Sequence, residues 1–138
     1  MKPHVGISQC LVGGRVRYDG GHKLERPLVE ALAFVVEWVE VCPEVEVGMG
    51  VPREPVRLVR AIPHGSTPIR MIAAQSGRDW TDRMDAWGRG KLGELASMRL
   101  SGYVLKARSP SCGLHDVPIH TAGPDARPWC CPSWASAW

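Results

Sequence analysis

Three short apolar runs in this chain each break off into turn residues at a cysteine. Val5-Gly6-Ile7-Ser8 leads to Cys10, the run from Trp38 leads to Cys42-Pro43-Glu44, and Gly102 to Ala107 leads to Ser109-Pro110-Ser111-Cys112-Gly113. Runs this short, closed by Gly, Pro and Ser, suit buried strands. Between the first two, Leu24, Leu28, Leu32 and Val35 recur at helical spacing, which predicts a helix from about Leu24 to Val36 with Pro27 in its first turn. Strand, helix, strand is the rhythm of a parallel sheet, whose neighbouring strands need a crossover. Ligands of such sheets bind outside the carboxyl ends of the strands. All three thiols would then emerge on one rim.

The remaining segments fit the same architecture. Two Gly pairs in the loop from Gly13 to Lys23 suit backbone that turns tightly or approaches a ligand. Val56 to Ile62 and Pro68 to Ala74 read as a hairpin or ribbon. Asp79 or Thr81 starts a second helix that reaches about Leu100, with Gly88, Gly90 and Gly93 weakening its middle. The expectation is an α/β fold: a single three-layer domain with a mainly parallel sheet, Rossmann-like but without the Gly-x-Gly-x-x-Gly dinucleotide fingerprint. Residues 1–121 form that domain. Residues 122–138, crowded with Pro and Trp and carrying Cys130 and Cys131, are expected to be an irregular tail.

Composition narrows the function classes. A chain of 138 residues with 44% hydrophobic and 22% charged content is an ordinary globular domain. Its net charge of +3 suits an anionic or electron-rich ligand and is too small to argue for a stable nucleic-acid complex. The start, Met1-Lys2-Pro3-His4, has no signal-peptide stretch, and no apolar run is long enough for a bilayer, so a cytoplasmic protein without membrane contact is expected. Five cysteines are an odd number, which in a reducing compartment favours metal binding or catalysis over disulfides.

Structural zinc draws on paired knuckles such as Cys-x-x-Cys, which this chain lacks. Three dispersed thiolates instead suit an open site, such as three corners of a [4Fe–4S] cluster with the fourth iron free. From spacing alone, each cysteine taken singly reads as a small buried hydrophobe. Glu44, two residues past Cys42, is placed to act as a general acid or base, and it also reads as a solvated glutamate beside Glu40 and Glu46. Ser109 and Ser111 offer hydroxyls or simply form the turn, and Asp19 offers a carboxylate to a heterocyclic N–H or simply precedes Gly20 in a turn. Arg53, near Pro52 and Pro55, could be held toward an anionic group. The scattered histidines offer no base for a cysteine-nucleophile hydrolase, a reading that stays open.

Ser8-x-Cys10-Leu11, Arg17-Tyr18-Asp19-Gly20, Cys42-Pro43-Glu44, Pro52-Arg53, Gly77-Arg78-Asp79-x-Thr81 and Ser109-Pro110-Ser111-Cys112-Gly113, in this order, resemble the small bacterial thiouracil desulfurase family. The resemblance covers about residues 4 to 120 and implies an iron–sulfur enzyme that converts thiouracil to uracil and sulfide without redox chemistry. It implies that Cys10, Cys42 and Cys112 hold the [4Fe–4S] cluster, that Glu44 transfers a proton, and that Asp19, Ser109 and Ser111 hold or activate a small thiolated nucleobase. The alternative is a zinc-holding or thiolated-nucleobase-binding module without turnover. Trp80 departs from the family pattern, where a smaller aliphatic residue is expected, and so does the tail.

Overall fold

The computed structural model describes residues 1–60 and 68–121. The chain runs β1 (His4–Ser8), a single 3-10 turn (Gln9–Val12), α1 (Arg26–Leu32), β2 (Glu37–Val41), α2 (Pro43–Glu46), β3 (Val56–Arg60), β4 (Arg70–Ala73), α3 (Thr81–Ser97), β5 (Gly102–Val104) and β6 (Ile119–Thr121). It is a small α/β domain.

The first sheet has the order β2-β1-β5, and both pairings are parallel. Its register sets Ser8 against Val41 and Ile7 against Val104, so the three strands end at one level. Central β1 is the most protected, with Ile7 fully buried and Ser8 nearly so. Gly6 is required in this strand because the Tyr103 ring of β5 lies across it. A Cβ there would meet ring carbons at 2.3 and 2.5 Å.

The second sheet has the order β4-β3-β6. The expected ribbon is present as an antiparallel β3–β4 pair, and β6 adds to β3 in parallel, a strand too short to be read from the sequence. Val56, Leu58, Met71, Ala73, Val117 and Ile119 pack here with Trp80 and with Met84 of α3. Trp80 therefore serves as core: it is buried, and the Arg78 guanidinium sits 4.1 Å from its ring centroid.

α3 runs unbroken for 17 residues through its three glycines. Asp79 Oδ1 accepts the Thr81 N–H at its start, and Thr81 Oγ1 accepts the Met71 N–H of β4. α1 is shorter than its apolar spacing suggests, and none of its residues is fully buried. β5 likewise stops at Val104, so residues 105–112 form a loop and not the end of a strand. Among the described residues no helix is long and apolar enough to cross a membrane. The tail from 122, with Cys130 and Cys131, and the turn of the ribbon lie outside the described residues.

Candidate functional site

The common rim of β1, β2 and β5 opens into a cavity of about 390 Å³, and Cys10, Cys42 and Cys112 all line it. Each arrives by a different local device. Cys10 sits in the 3-10 turn that follows β1 directly. Cys42 is the residue between β2 and α2, and Pro43, at the first position of that helix, stops the strand by removing a ladder donor. The Cys42 N–H donates to Glu46 Oε2 at 3.0 Å, and Glu46 Oε1 is held by Lys91 of α3 at 2.9 Å. Cys112 lies on the loop after β5, where Gly113 N donates to Ser109 O at 2.8 Å. A Cβ on Gly113 would come within 2.7 Å of that same carbonyl oxygen, so the turn demands glycine.

Ser8 ties the third cysteine to the first strand. Its hydroxyl accepts the Lys106 N–H at 3.0 Å and hydrogen-bonds the Cys112 thiol. Ser109 Oγ accepts the Cys112 N–H at 3.2 Å.

All three cysteines are free thiols. Burial raises each above the usual thiol range, and for Cys112 it does so to about 11 despite the Ser8 and Ser111 hydrogen bonds. Lys106 and Arg17 oppose this at Cys10, while Glu44 adds to it. Such thiols are poor nucleophiles by themselves, since a reactive cysteine needs a lowered pKa. No histidine lines the cavity among the described residues. Both facts count against a metal-free cysteine hydrolase.

Among the described residues no three His, Cys, Asp or Glu side chains converge closely enough to hold one metal ion. Tetrahedral zinc with Zn–S bonds of about 2.3 Å would bring its sulfurs within about 4 Å of one another. Thiolate ligands of a multi-iron cluster bind different irons and stand farther apart. Three free thiols lining one cavity are the donor type a multi-iron cluster takes.

Glu44 projects from α2 into the cavity, with its side chain only 13% exposed. Both oxygens are engaged. Arg53 Nε and Nη2 donate to Oε2 at 2.9 and 2.6 Å, and Ser111 Oγ donates to Oε1 at 2.9 Å. Ser109 Oγ lies 3.3 Å from Ser111 Oγ, which extends the chain of hydroxyls. Cys10, Cys42, Cys112, Glu44, Ser109 and Ser111 are thus brought together. Asp19 is not: it is exposed and does not line the cavity, and its Oδ1 accepts the Gly21 N–H at 2.8 Å in a plain Asx turn.

Arg17, Lys106 and Arg108 also line the cavity, and nothing in the sequence marks them. A basic residue in a loop carries no signal of which way it faces. The rigid Pro-flanked setting of Arg53 was a usable signal, and the anionic group it meets is the chain's own Glu44.

The chain is 30% identical over 111 residues to the uncharacterised protein YbbK of Bacillus subtilis (strain 168), covering 78% of this chain and 71% of that protein. Its fold superposes on the solved structure of the [4Fe-4S]-dependent thiouracil desulfidase TudS with a TM-score of 0.72 and 28% identity, covering 99% of this chain and 83% of the other. Residues 5–127, a span that includes Cys10, Cys42 and Cys112, match the sequence model of the 2-thiouracil desulfurases, and the chain belongs to the 2-thiouracil desulfurase family.

Proposed function

We propose that this protein removes sulfur from a small thiolated uracil by a non-redox route, giving uracil and sulfide, with a [4Fe–4S] cluster held by Cys10, Cys42 and Cys112. The observation that carries the reading is the convergence of three free cysteines, from beyond three adjacent parallel strands, on one cavity that also holds Glu44. The cluster dependence stated for the similar TudS structure supports it.

When bound, the cluster supplies an open, thiophilic Lewis-acidic iron for the thiocarbonyl sulfur. The chain's own residues supply the rest. Glu44 takes a proton from the water that adds at the ring carbon, since its carboxylate is the acidic group lining the cavity among the described residues. Ser111 fixes the carboxylate through Oε1 and, with Ser109, offers hydroxyls to the ring's polar edge. Arg17 and Lys106 favour the thiolate form of Cys10, which a metal ligand must adopt. Asp19 closes a surface turn and does not line the cavity, so this reading gives it no step. The reading places the enzyme in the cytoplasm, where thiols stay reduced.

Anaerobic reconstitution tests this. The expected result is about four irons per chain and release of uracil and sulfide from 2- or 4-thiouracil. Replacing Cys10, Cys42 or Cys112 by serine should each abolish iron retention and turnover. A protein that takes up one zinc, or that binds thiouracil and returns it unchanged, would overturn the reading.

A further inference from the structure

Arg53 is one of the least exposed charged side chains in the cavity wall, at 6%. Each of its three guanidinium nitrogens makes a hydrogen bond inside the chain. Nε and Nη2 both reach Glu44 Oε2, and Nη1 donates to Gly50 O at 2.9 Å. Its main-chain N–H donates to Tyr18 O at 2.8 Å, which ties the 48–55 segment to the Gly-rich loop. Three segments therefore meet at one residue: α2 with Glu44, the 48–55 segment that follows it, and the loop carrying Tyr18. On the far side of Glu44, Ser111 holds the other oxygen.

We propose that Arg53 is a positioning residue that locks the Glu44 carboxylate in one rotation, with Oε2 bound to the guanidinium and Oε1 turned to Ser111 and the cavity. The proposal rests on Glu44 being the proton-transfer group, and it assigns Arg53 no contact with substrate. Orientation is what this arrangement provides: two donors of one rigid guanidinium, itself anchored at Gly50 O, pin Oε2 while Ser111 holds Oε1, so the carboxylate is fixed at both ends, whereas an ammonium attracts it as a point charge without fixing it. Stability alone explains the pair poorly, because a buried ion pair is often no better than apolar residues of the same volume. A carboxylate free to turn would lose alignment with the reacting water, and misplacement of about 1 Å is enough to lower turnover about 100-fold.

The test uses the reconstituted holoenzyme, with Arg53→Lys, Arg53→Gln, Glu44→Gln and the double variant Glu44→Gln/Arg53→Lys. Iron per chain, kcat and KM for thiouracil, and crystal structures of the single variants are measured. Arg53→Lys should keep its iron, keep KM within about threefold, and lose kcat by about tenfold or more, with Arg53→Gln losing more. The crystal structure of Arg53→Lys should show the Glu44 carboxylate rotated away from Ser111. In the Glu44→Gln background, Arg53→Lys should change kcat by no more than about twofold, because the two changes act through one group.

Full kcat in Arg53→Lys would overturn the proposal, and so would an unmoved Glu44 in its structure. A rise in KM alone would make Arg53 a substrate contact. Equal losses in both backgrounds, or loss of iron, would make it a structural residue. If Glu44→Gln itself turns over normally, the role given to Glu44 fails and Arg53 has nothing to position. If Glu44→Gln is inactive while Arg53→Lys is unaffected, only the present proposal falls.

Discussion

At Gly6 a single missing carbon decides whether two strands of the first sheet can carry an aromatic ring between them. The Tyr103 ring occupies the space a Cβ would need, and burial holds its hydroxyl protonated, with its pKa raised well above the usual value. Gly6→Ala should therefore destabilise the protein by about 1–3 kcal/mol through overpacking, read as a lower urea midpoint with unchanged slope. The cysteines show the opposite dependence on surroundings. Their identity as ligand candidates was legible from the turn residues around Cys10, Cys42 and Cys112, because Pro, Gly and Ser mark turns and loops. Asp19 looked as promising by the same reasoning, yet its carboxylate closes its own turn. A carboxylate next to glycine reads alike whether it serves a substrate or its own backbone.

Among the elements, the junction of β4 and α3 is built from carboxylates. Glu54 accepts the N–H groups of Gln75 and Ser76 and the Ser76 hydroxyl, and these bonds hold its pKa below the usual range. Burial pushes Asp79 up, but the Thr81 hydrogen bonds and Arg70 at 2.8 Å outweigh it and leave its pKa lowered. A carboxyl whose folded pKa is depressed stabilises the fold above its unfolded value, and that contribution is lost as pH falls through the folded value. Thermal unfolding should thus show Tm falling once pH drops below about 4, the unfolded range of these groups. Asp79→Asn should have a lower Tm at pH 6 and a flatter decline toward pH 3. A parallel decline in both proteins would remove Asp79 from the account. The pairing of β3 with β4 was readable from two β-rich runs flanking a turn. The addition of β6 was not, because three residues give no periodicity and the pairing is long-range.

Over the whole molecule, the apolar core and the cavity are largely separate. Among the described residues, the buried cluster formed by the second sheet and α3 contains none of the three cysteines, and of its buried members only Val56 also lines the cavity. This separation leads us to expect a fold that persists without a bound group, unlike a zinc finger. Chelator-treated protein should keep its far-UV circular dichroism and a cooperative unfolding transition. Hydrogen exchange should quicken mainly in residues 9–23 and 105–113, which carry Cys10 and Cys112 on irregular backbone. Global loss of structure on iron removal would contradict this separation.

The sequence by itself determined the α/β character, the placement of Cys10 and Cys42 just past strands and the proximity of Glu44 to Cys42, since each follows from local periodicity, turn chemistry or spacing of two residues. Tertiary structure alone decided that β1, β2 and β5 share one rim, that Arg53 forks onto Glu44 while Ser111 takes its other oxygen, and that Asp19 stays outside. The physical reason is range. Capping, turns and alternation act over a few residues and leave a mark in the chain. A hydrogen bond between residues 44 and 111 exists only after a sheet has brought distant loops together, and nothing near either residue encodes its partner.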